Sequence, residues 1–118
     1  SPNIVNNENV NYVVEILREN PDGTKFVQFY KQYPDGNISK LKKNTLFPDD
    51  WSDEMIIQSI KDIADYPPVG IRIVDGAITT LHNGNINGVE IDVIKEGNNI
   101  TAGYPVGGKP TPGFNPVN

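Results

Sequence analysis

The sequence predicts an α+β fold in which an antiparallel β-sheet is packed by one main helix. Several segments alternate apolar and polar residues with the two-residue period of a strand, and turns rich in glycine and proline separate them. One further segment carries apolar residues at helical spacing. Because a sheet with an apolar face must bury it against another element, we expect this helix to lie across the sheet.

Three strands are predicted to form a meander in the first third of the chain. Residues 12–17 and 25–33 are rich in strand-forming side chains, and a third strand passes through residues 38–41. Pro-Asp-Gly turns at residues 20–23 and 33–36 separate the strands. In each turn proline presets φ and glycine accepts a positive φ, so the chain can reverse tightly.

The helix is predicted to begin after Ser52, whose hydroxyl can cap the first turn. Two acidic residues follow the cap, where the helix dipole favours negative charge. Ile56, Ile60 and Ile63 recur on one side and predict the face that covers the sheet. The helix must end before Tyr66, because two prolines come next.

The second half of the chain predicts four more strands, at residues 71–74, 77–81, 86–94 and 100–104. Asp75-Gly76 is a hairpin signal, and the Asn- and Gly-rich residues 82–85 predict another turn.

These elements suggest three segments. Residues 1–11 are a lead-in segment, residues 12–105 form the α+β domain, and residues 106–118 form an extended tail rich in proline and glycine.

The charge balance limits how the chain could bind nucleic acid. Ten Lys and Arg residues stand against fifteen Asp and Glu residues, a net charge of −5. An acidic protein needs a local basic patch to hold phosphates. The excess of acid can equally serve solubility, or match a partner with a basic face.

The chain has no cysteine, which excludes disulfides, thiolate metal sites and cysteine nucleophiles. No apolar run approaches the roughly 20 residues that a membrane span needs, and no signal peptide is present, so no membrane anchoring is expected from this segment. Since the chain begins Ser1-Pro2, we interpret it as a piece of a longer protein whose secretion could be encoded upstream.

Lys40, Lys42 and Lys43 form the densest basic cluster of the sequence. One of them could contact phosphates or stabilise a transition state. On a strand, Lys40 and Lys42 would point one way and Lys43 the other. The cluster is also what an edge strand uses to prevent aggregation, and the sequence leaves both interpretations open.

Thr101 and Tyr104 end the last predicted strand, where a hydroxyl could bind a phosphate and a ring could stack on a base. They could also merely suit a β-surface. His82, the only histidine, is expected to be exposed in its turn and to titrate near neutral pH, although a lone turn histidine is often incidental. A single histidine excludes a two-histidine acid–base pair within these 118 residues.

No cofactor or metal site is expected. The acidic residues around the helix start lack ligand spacing, and no phosphate-binding loop, dinucleotide fingerprint or serine-nucleophile elbow is present.

Three segments carry a resemblance to a known family. Residues 45–52, Thr-Leu-Phe-Pro-Asp-Asp-Trp-Ser, are similar to a Phe-Pro-x-x-Trp-Ser box that precedes an acidic helix. Gly88-Val89-Glu90-Ile91 is similar to a later strand, and residues 100–105, Ile-Thr-Ala-Gly-Tyr-Pro, to a closing one. Together they resemble the C-terminal lobe of bacterial EndoU-type ribonucleases, over roughly residues 12–105.

The resemblance implies a metal-independent endoribonuclease toxin domain of the barnase–EndoU–colicin–RelE architecture. Such an enzyme cleaves RNA, with tRNA the expected substrate, by attack of a ribose 2′-OH that leaves a 2′,3′-cyclic phosphate. One histidine acts as base, a second as acid, and a lysine stabilises the phosphate. The resemblance further implies a secreted bacterial effector of contact-dependent growth inhibition that acts in the target-cell cytoplasm and is neutralised by an immunity protein.

Carried onto this sequence, the family's lysine matches Lys43 or Lys42, with Lys40 possible. Its closing hydroxyl and aromatic residue match Thr101 and Tyr104. The other candidates are His82 as a catalytic residue, and Thr45, Lys109 and Lys40 as RNA-binding residues.

Two departures from the family pattern stand out. Nothing before Tyr12 matches the paired histidines, so the chain either begins after them or has lost them. Gly103 adds one residue between Thr101 and Tyr104, which turns the two side chains to opposite faces unless the glycine forms a bulge. A non-catalytic RNA- or protein-binding module is therefore the alternative function, and a plain structural domain the weaker third.

Overall fold

The computed structural model describes residues 10–117, so most of the predicted lead-in segment lies outside the described residues. The described part is α+β, with one helix and two antiparallel sheets. In chain order its elements are β1 (Asn11–Glu19), β2 (Lys25–Gln32), β3 (Lys42–Leu46), α1 (Asp53–Ala64), β4 (Gly70–Val74), β5 (Ala77–Ile86), β6 (Val89–Glu96), β7 (Asn99–Pro105) and β8 (Asn115–Pro116).

The predicted three-stranded meander is found, in the order β1-β2-β3. Its third strand was predicted at residues 38–41 but spans Lys42–Leu46, and Ile38 forms only an isolated bridge with Gln32. Both Pro-Asp-Gly turns form, with Gly23 at φ 90° and Gly36 at φ 87°. β1 carries one irregularity, because Ile16 pairs with Val27 while Arg18 pairs with Phe26. The bulge between them reverses the face to which the following side chain points.

The helix has the predicted start and end. The Ser52 hydroxyl accepts a hydrogen bond from the backbone N–H of Met55 at 3.1 Å, and Asp65 caps the other end. Phe47 and Trp51 stack at 5.5 Å between ring centroids and pack beside the core. The junction between β3 and α1 is therefore held by aromatic packing and a helix cap.

The five-stranded sheet has the order β7-β6-β5-β4-β8, and α1 covers one of its faces. Ile63 is fully buried against Val89, Ile91 and Val93 of β6, which form the centre of the core. The predicted helix stripe is confirmed, since Ile56 and Ile60 are partly buried and Ile63 is fully buried, whereas the neighbouring Ile57 is 53% exposed. It also predicted one sheet, whereas the described strands form two.

Two glycines let the helix lie close to the sheet. A Cβ added at Gly84 of β5 would come within 2.8 Å of Ile63, and one added at Gly103 of β7 within 2.9 Å of Ile60. Gly103 is therefore required by packing. The bulge in β7 falls at Thr101, because Ile94 pairs with Ala102 while Lys95 pairs with Ile100.

Gly103→Ala is expected to lower the free energy of unfolding by about 1–3 kcal/mol, because the new methyl overlaps three carbons of Ile60. Urea denaturation measures the change. Ile60→Ala removes the obstacle, so the double variant should be less destabilised than the sum of the two single variants. Strict additivity would contradict the proposed close contact.

Residues 106–117 cross the other face of the five-stranded sheet. The backbone N–H of Thr111 donates to Asp92 on β6, and Asn115–Pro116 pair with β4. The guanidinium of Arg72 lies 4.3 Å from the Phe114 ring centroid. The segment that the sequence predicted as an extended tail is thus held to the sheet over these residues.

No helix among residues 10–117 is long and apolar enough to cross a membrane.

Candidate active site

A cleft of about 380 Å³ lies between the two sheets, and we call it the inter-sheet cleft. Its lining comes from three parts of the fold: the first sheet, the end of β7, and the segment after β7. The lining residues are Arg18, Phe26, Lys43, Asn44, Thr45, Tyr104, Pro105, Val106, Lys109, Pro110, Thr111 and Pro112. Four of the residues predicted from the sequence, Lys43, Thr45, Tyr104 and Lys109, therefore meet in one place.

Strand alternation decides which lysine of the cluster reaches the cleft. Lys43 pairs across the sheet with Gln28, and Thr45 pairs with Phe26, so these four side chains share one face. Lys42 pairs with Phe29 and occupies the opposite face. Of the two lysines that begin β3, only Lys43 lines the inter-sheet cleft.

Arg18 is a second cation in the cleft, and the sequence analysis missed it. Simple alternation along β1 would place it on the face of Tyr12 and Val14. The bulge before it reverses that direction, so Arg18 pairs with Phe26 and its guanidinium lies 5.2 Å from the Phe26 ring centroid. The guanidinium also donates to the Asn20 side chain at 2.9 Å, which fixes its position.

Tyr104 belongs to a hydrogen-bonded chain that ends on a buried carboxylate. Asp92 is 2% exposed and pairs with Tyr104 across β6 and β7. One Asp92 oxygen accepts from the Asn83 amide at 2.8 Å, and the other accepts from the Thr111 hydroxyl at 2.6 Å. The Thr111 hydroxyl is in turn hydrogen-bonded to the Tyr104 hydroxyl.

The direction of this chain follows from the donors available. A carboxylate can only accept, so the single hydroxyl proton of Thr111 goes to Asp92. Tyr104 must then donate its own proton to Thr111. The phenol oxygen of Tyr104 keeps its lone pairs for a group in the cleft, which makes it an acceptor there.

The loop after β7 closes the cleft against β3. A Cβ added at Gly107 would lie 3.2 Å from the Asn20 amide nitrogen and 3.4 Å from the methyl carbon of Thr45, so the loop passes close to both side chains. Gly107 has φ 59°, which a side chain would strain. This turn also brings Lys109 to the cleft. Lys109 is the third cation there, after Lys43 and Arg18.

The remaining site candidates lie elsewhere. Lys40 and Lys42 line a separate cleft on the outer face of the first sheet. Thr101 is exposed on the β7 bulge, and its hydroxyl donates to the Ile94 carbonyl at 3.2 Å. The hydroxyl beside Tyr104 is that of Thr111, and Thr101 does not line the inter-sheet cleft.

The prediction that His82 is exposed in a turn is wrong. β5 continues through residues 82–85 to Ile86, and the reversal occurs at Asn87-Gly88. His82 is 4% exposed, and its ring nitrogens are hydrogen-bonded to the Tyr66 carbonyl at 2.7 Å and the Thr80 hydroxyl at 2.8 Å. It pairs with Val93, whose side chain faces α1, so it lies on the side of the sheet away from Tyr104.

His82→Ala is expected to lower the free energy of unfolding by about 1–3 kcal/mol, because it removes a buried imidazole and both of its hydrogen bonds, to the Thr80 hydroxyl and the Tyr66 carbonyl. The variant should keep the RNA affinity of the unchanged protein, since His82 does not line the cleft. Urea denaturation and fluorescence anisotropy with labelled RNA check the two halves of this prediction. A loss of affinity in a variant that remains folded would contradict the structural role.

Among residues 10–117, no group of three or more His, Asp and Glu side chains is arranged to hold a metal ion.

A family model described as bacterial EndoU nuclease matches residues 2–107 of the sequence. The chain belongs to the bacterial EndoU nuclease family. No curated protein and no solved structure gives a significant match to it. The resemblance seen in the Phe-Pro-x-x-Trp-Ser box is thus confirmed, and this EndoU domain places that box at the junction of β3 and α1.

The EndoU domain contains site residues that no sequence pattern marked. Arg18 is turned to the cleft by a bulge, and Asp92 and Asn83 lie on strands whose alternation shows only that they face away from the helix. Thr111 lies in the segment that was predicted as an extended tail. Lys109 of the same segment was predicted to bind RNA, but nothing in the sequence placed it beside Lys43.

Proposed function

We propose that this EndoU domain binds RNA in the inter-sheet cleft and serves the metal-independent cleavage that leaves a 2′,3′-cyclic phosphate. The observation that carries the proposal is the meeting of Lys43 from one sheet with Tyr104 from the other in a single cleft. In a chain of net charge −5, three cations line this cleft: Arg18, Lys43 and Lys109. Such a local basic patch is what phosphate binding requires.

Each group has a role that follows from its chemistry. Lys43 is the proposed catalytic cation, which would stabilise negative charge as it develops on the attacked phosphate. The Arg18 guanidinium offers a planar set of donors to a phosphate, and Lys109 adds a second mobile cation. The phenol oxygen of Tyr104 can accept a hydrogen bond from the ribose 2′-OH, which orients the attacking oxygen.

A specific observation favours the alternative, a non-catalytic module that binds RNA. His82 is buried on the other side of the sheet, so among residues 10–117 no histidine reaches the cleft. The proton transfers usually assigned to the two EndoU histidines have no imidazole at the cleft in the described part of the chain. Binding and transition-state stabilisation can therefore be tested separately from acid–base catalysis.

Incubation of the 118-residue chain with total tRNA, with and without EDTA, tests the proposal. Cleavage that EDTA does not inhibit, with 2′,3′-cyclic phosphate ends, supports the nuclease. Binding without cleavage supports the non-catalytic module. If the chain neither binds nor cleaves RNA, both versions are wrong.

We extend the proposal to the biological setting that the family resemblance implies. The domain would act in the cytoplasm of a target bacterium as the effector part of a larger secreted protein, and an immunity protein would neutralise it. An immunity protein that covers Lys43 and Tyr104 would compete with RNA for the cleft. Co-expression of the neighbouring open reading frame, scored by rescue of growth, tests this setting.

A further inference from the structure

The outer face of the three-stranded sheet carries a second cleft, of about 300 Å³, which we call the outer cleft. Its lining residues include Tyr12, Val14, Phe29, Lys31, Lys40 and Lys42. Cross-strand pairing joins Tyr12 to Lys31, Val14 to Phe29, and Phe29 to Lys42, so these side chains share one face. Lys43 and Arg18 occupy the opposite face of the same sheet.

Aromatic and aliphatic groups of the outer cleft are open to solvent. Tyr12 is 65% exposed, Val14 62% and Phe29 37%, and Tyr33 at the rim is 39% exposed. A contiguous set of exposed large apolar side chains is uncommon on a protein surface unless it contacts something. The outer cleft thus has the character of a binding surface.

Lysines surround these rings. The ammonium of Lys31 lies 5.9 Å from the Tyr12 ring centroid, and Lys40 and Lys42 border the same cleft. Within residues 10–117 the one salt bridge joins Lys25 to Asp49, so these three lysines have no carboxylate partner in the described structure. Their positive charge remains directed to solvent, although the chain as a whole is acidic.

The combination of aromatic rings and lysines indicates whether the outer cleft binds a protein or RNA. Lysine is depleted in protein–protein interfaces, where aromatic residues and arginine are enriched. Aromatic rings bordered by cations are instead what single-stranded RNA needs, because its bases stack on the rings while its phosphates meet the charges. Charge complementarity therefore favours RNA.

We propose that the outer cleft binds one or two unpaired bases of single-stranded RNA that flank the phosphate held at Lys43. This inference rests on the proposed function and adds to it a second RNA-binding surface. β3 begins at Lys42, and Lys43 follows it on the other face. An RNA strand that passes the start of β3 can thus contact both clefts, with bases on Tyr12 and Phe29 and a phosphate at each lysine.

The test measures the affinity of the 118-residue chain for a fluorescein-labelled 2′-O-methyl oligoribonucleotide of about ten nucleotides, by fluorescence anisotropy. The methylated sugar prevents cleavage, so the measurement does not depend on activity. Tyr12→Ala should weaken binding by about tenfold or more, because one stacked base is lost. Tyr12→Phe keeps the ring and should bind like the unchanged chain.

The salt dependence of RNA affinity tests the role of the lysines in the outer cleft. Lys31→Ala and Lys42→Ala should each weaken binding and reduce the slope of log affinity against log salt by about 0.7, the value for one phosphate contact on a single strand. Lys61→Ala on the exposed side of α1 changes the net charge equally, and Ile78→Ala removes an exposed apolar side chain of the other sheet. Neither control should alter binding, and circular dichroism confirms that each variant is folded.

The outcomes separate this inference from the proposed function. If Lys43→Ala binds weakly while Tyr12→Ala and Lys31→Ala bind like the unchanged chain, the outer cleft does not bind RNA and the inter-sheet cleft still does. If the unchanged chain binds no RNA, both proposals are wrong. If Tyr12→Ala leaves RNA binding intact but alters the molar mass measured by light scattering, the outer cleft is a protein interface and the inference is overturned.

Discussion

Replacing Lys43 with alanine is expected to lower the rate of RNA cleavage at saturating substrate by about 100- to 1000-fold. Loss of one preorganised group that stabilises transition-state charge has an effect of this size. Lys43 is the lysine of the β3 start that shares the inter-sheet cleft with Tyr104. Single-turnover cleavage of a labelled RNA, with the chain in excess, measures the rate of the chemical step.

Lys42→Ala is the matched comparison, since it removes the same charge from the neighbouring residue on the opposite face of β3. It should raise KM with little change in the saturating rate, because the outer cleft contributes binding and no contact with the reacting phosphate. Lys61→Ala supplies the control for net charge. Equal losses of the saturating rate in the Lys42 and Lys43 variants would contradict the assignment of separate faces.

The elements that local chemistry specifies could be predicted from the sequence. The two Pro-Asp-Gly turns need only the φ preferences of their residues, and the Ser52 cap and the following prolines bound the helix. The Phe-Pro-x-x-Trp-Ser box indicated the family for a related reason. Its aromatic residues and its cap are close in sequence, so a pattern within one short segment is enough to recognise the box.

The site depends on contacts between residues that are distant in sequence. Arg18 reaches the cleft through a bulge in β1, because the bulge reverses the face that alternation along an unbroken strand predicts. Thr101 lies at the bulge in β7, where its hydroxyl donates to the Ile94 carbonyl and does not line the cleft. The residues around His82 suggested a turn because asparagine and glycine favour turns. Gly84 serves a different purpose, since it lets Ile63 approach β5.

The position of the segment after β7 was the hardest to predict, because its high proline and glycine content is also typical of a free tail. Its position depends instead on one carboxylate, since the backbone and hydroxyl of Thr111 both donate to Asp92. The same contact orients Tyr104. We therefore expect Asp92 to affect both the stability of the domain and the shape of its cleft.

Asp92→Ala is expected to lower the free energy of unfolding by about 2–4 kcal/mol. The carboxylate is buried and accepts hydrogen bonds from Asn83 and Thr111, and bonds to a charged acceptor contribute about 1.5–3 kcal/mol. Its removal also leaves the partly buried donors of these residues without their acceptor. Urea denaturation measures the loss, and Glu90→Ala, which removes an exposed acid of the same strand, should stay within about 0.5 kcal/mol of the unchanged protein.

The effect of Asp92 on the inter-sheet cleft can be separated from its effect on global stability. RNA affinity is measured for this purpose in conditions where the Asp92 variant remains folded. Thr111→Val keeps the shape of the side chain but removes the hydroxyl that accepts from Tyr104, so the phenol loses its fixed direction. Both Asp92→Ala and Thr111→Val should then weaken RNA binding at the inter-sheet cleft, whereas Glu90→Ala should not. If Asp92→Ala is destabilised but binds RNA with unchanged affinity, the carboxylate holds the C-terminal segment without orienting Tyr104 for RNA. In that case the lost hydrogen bonds stabilise the fold, and RNA binding at the inter-sheet cleft does not depend on them.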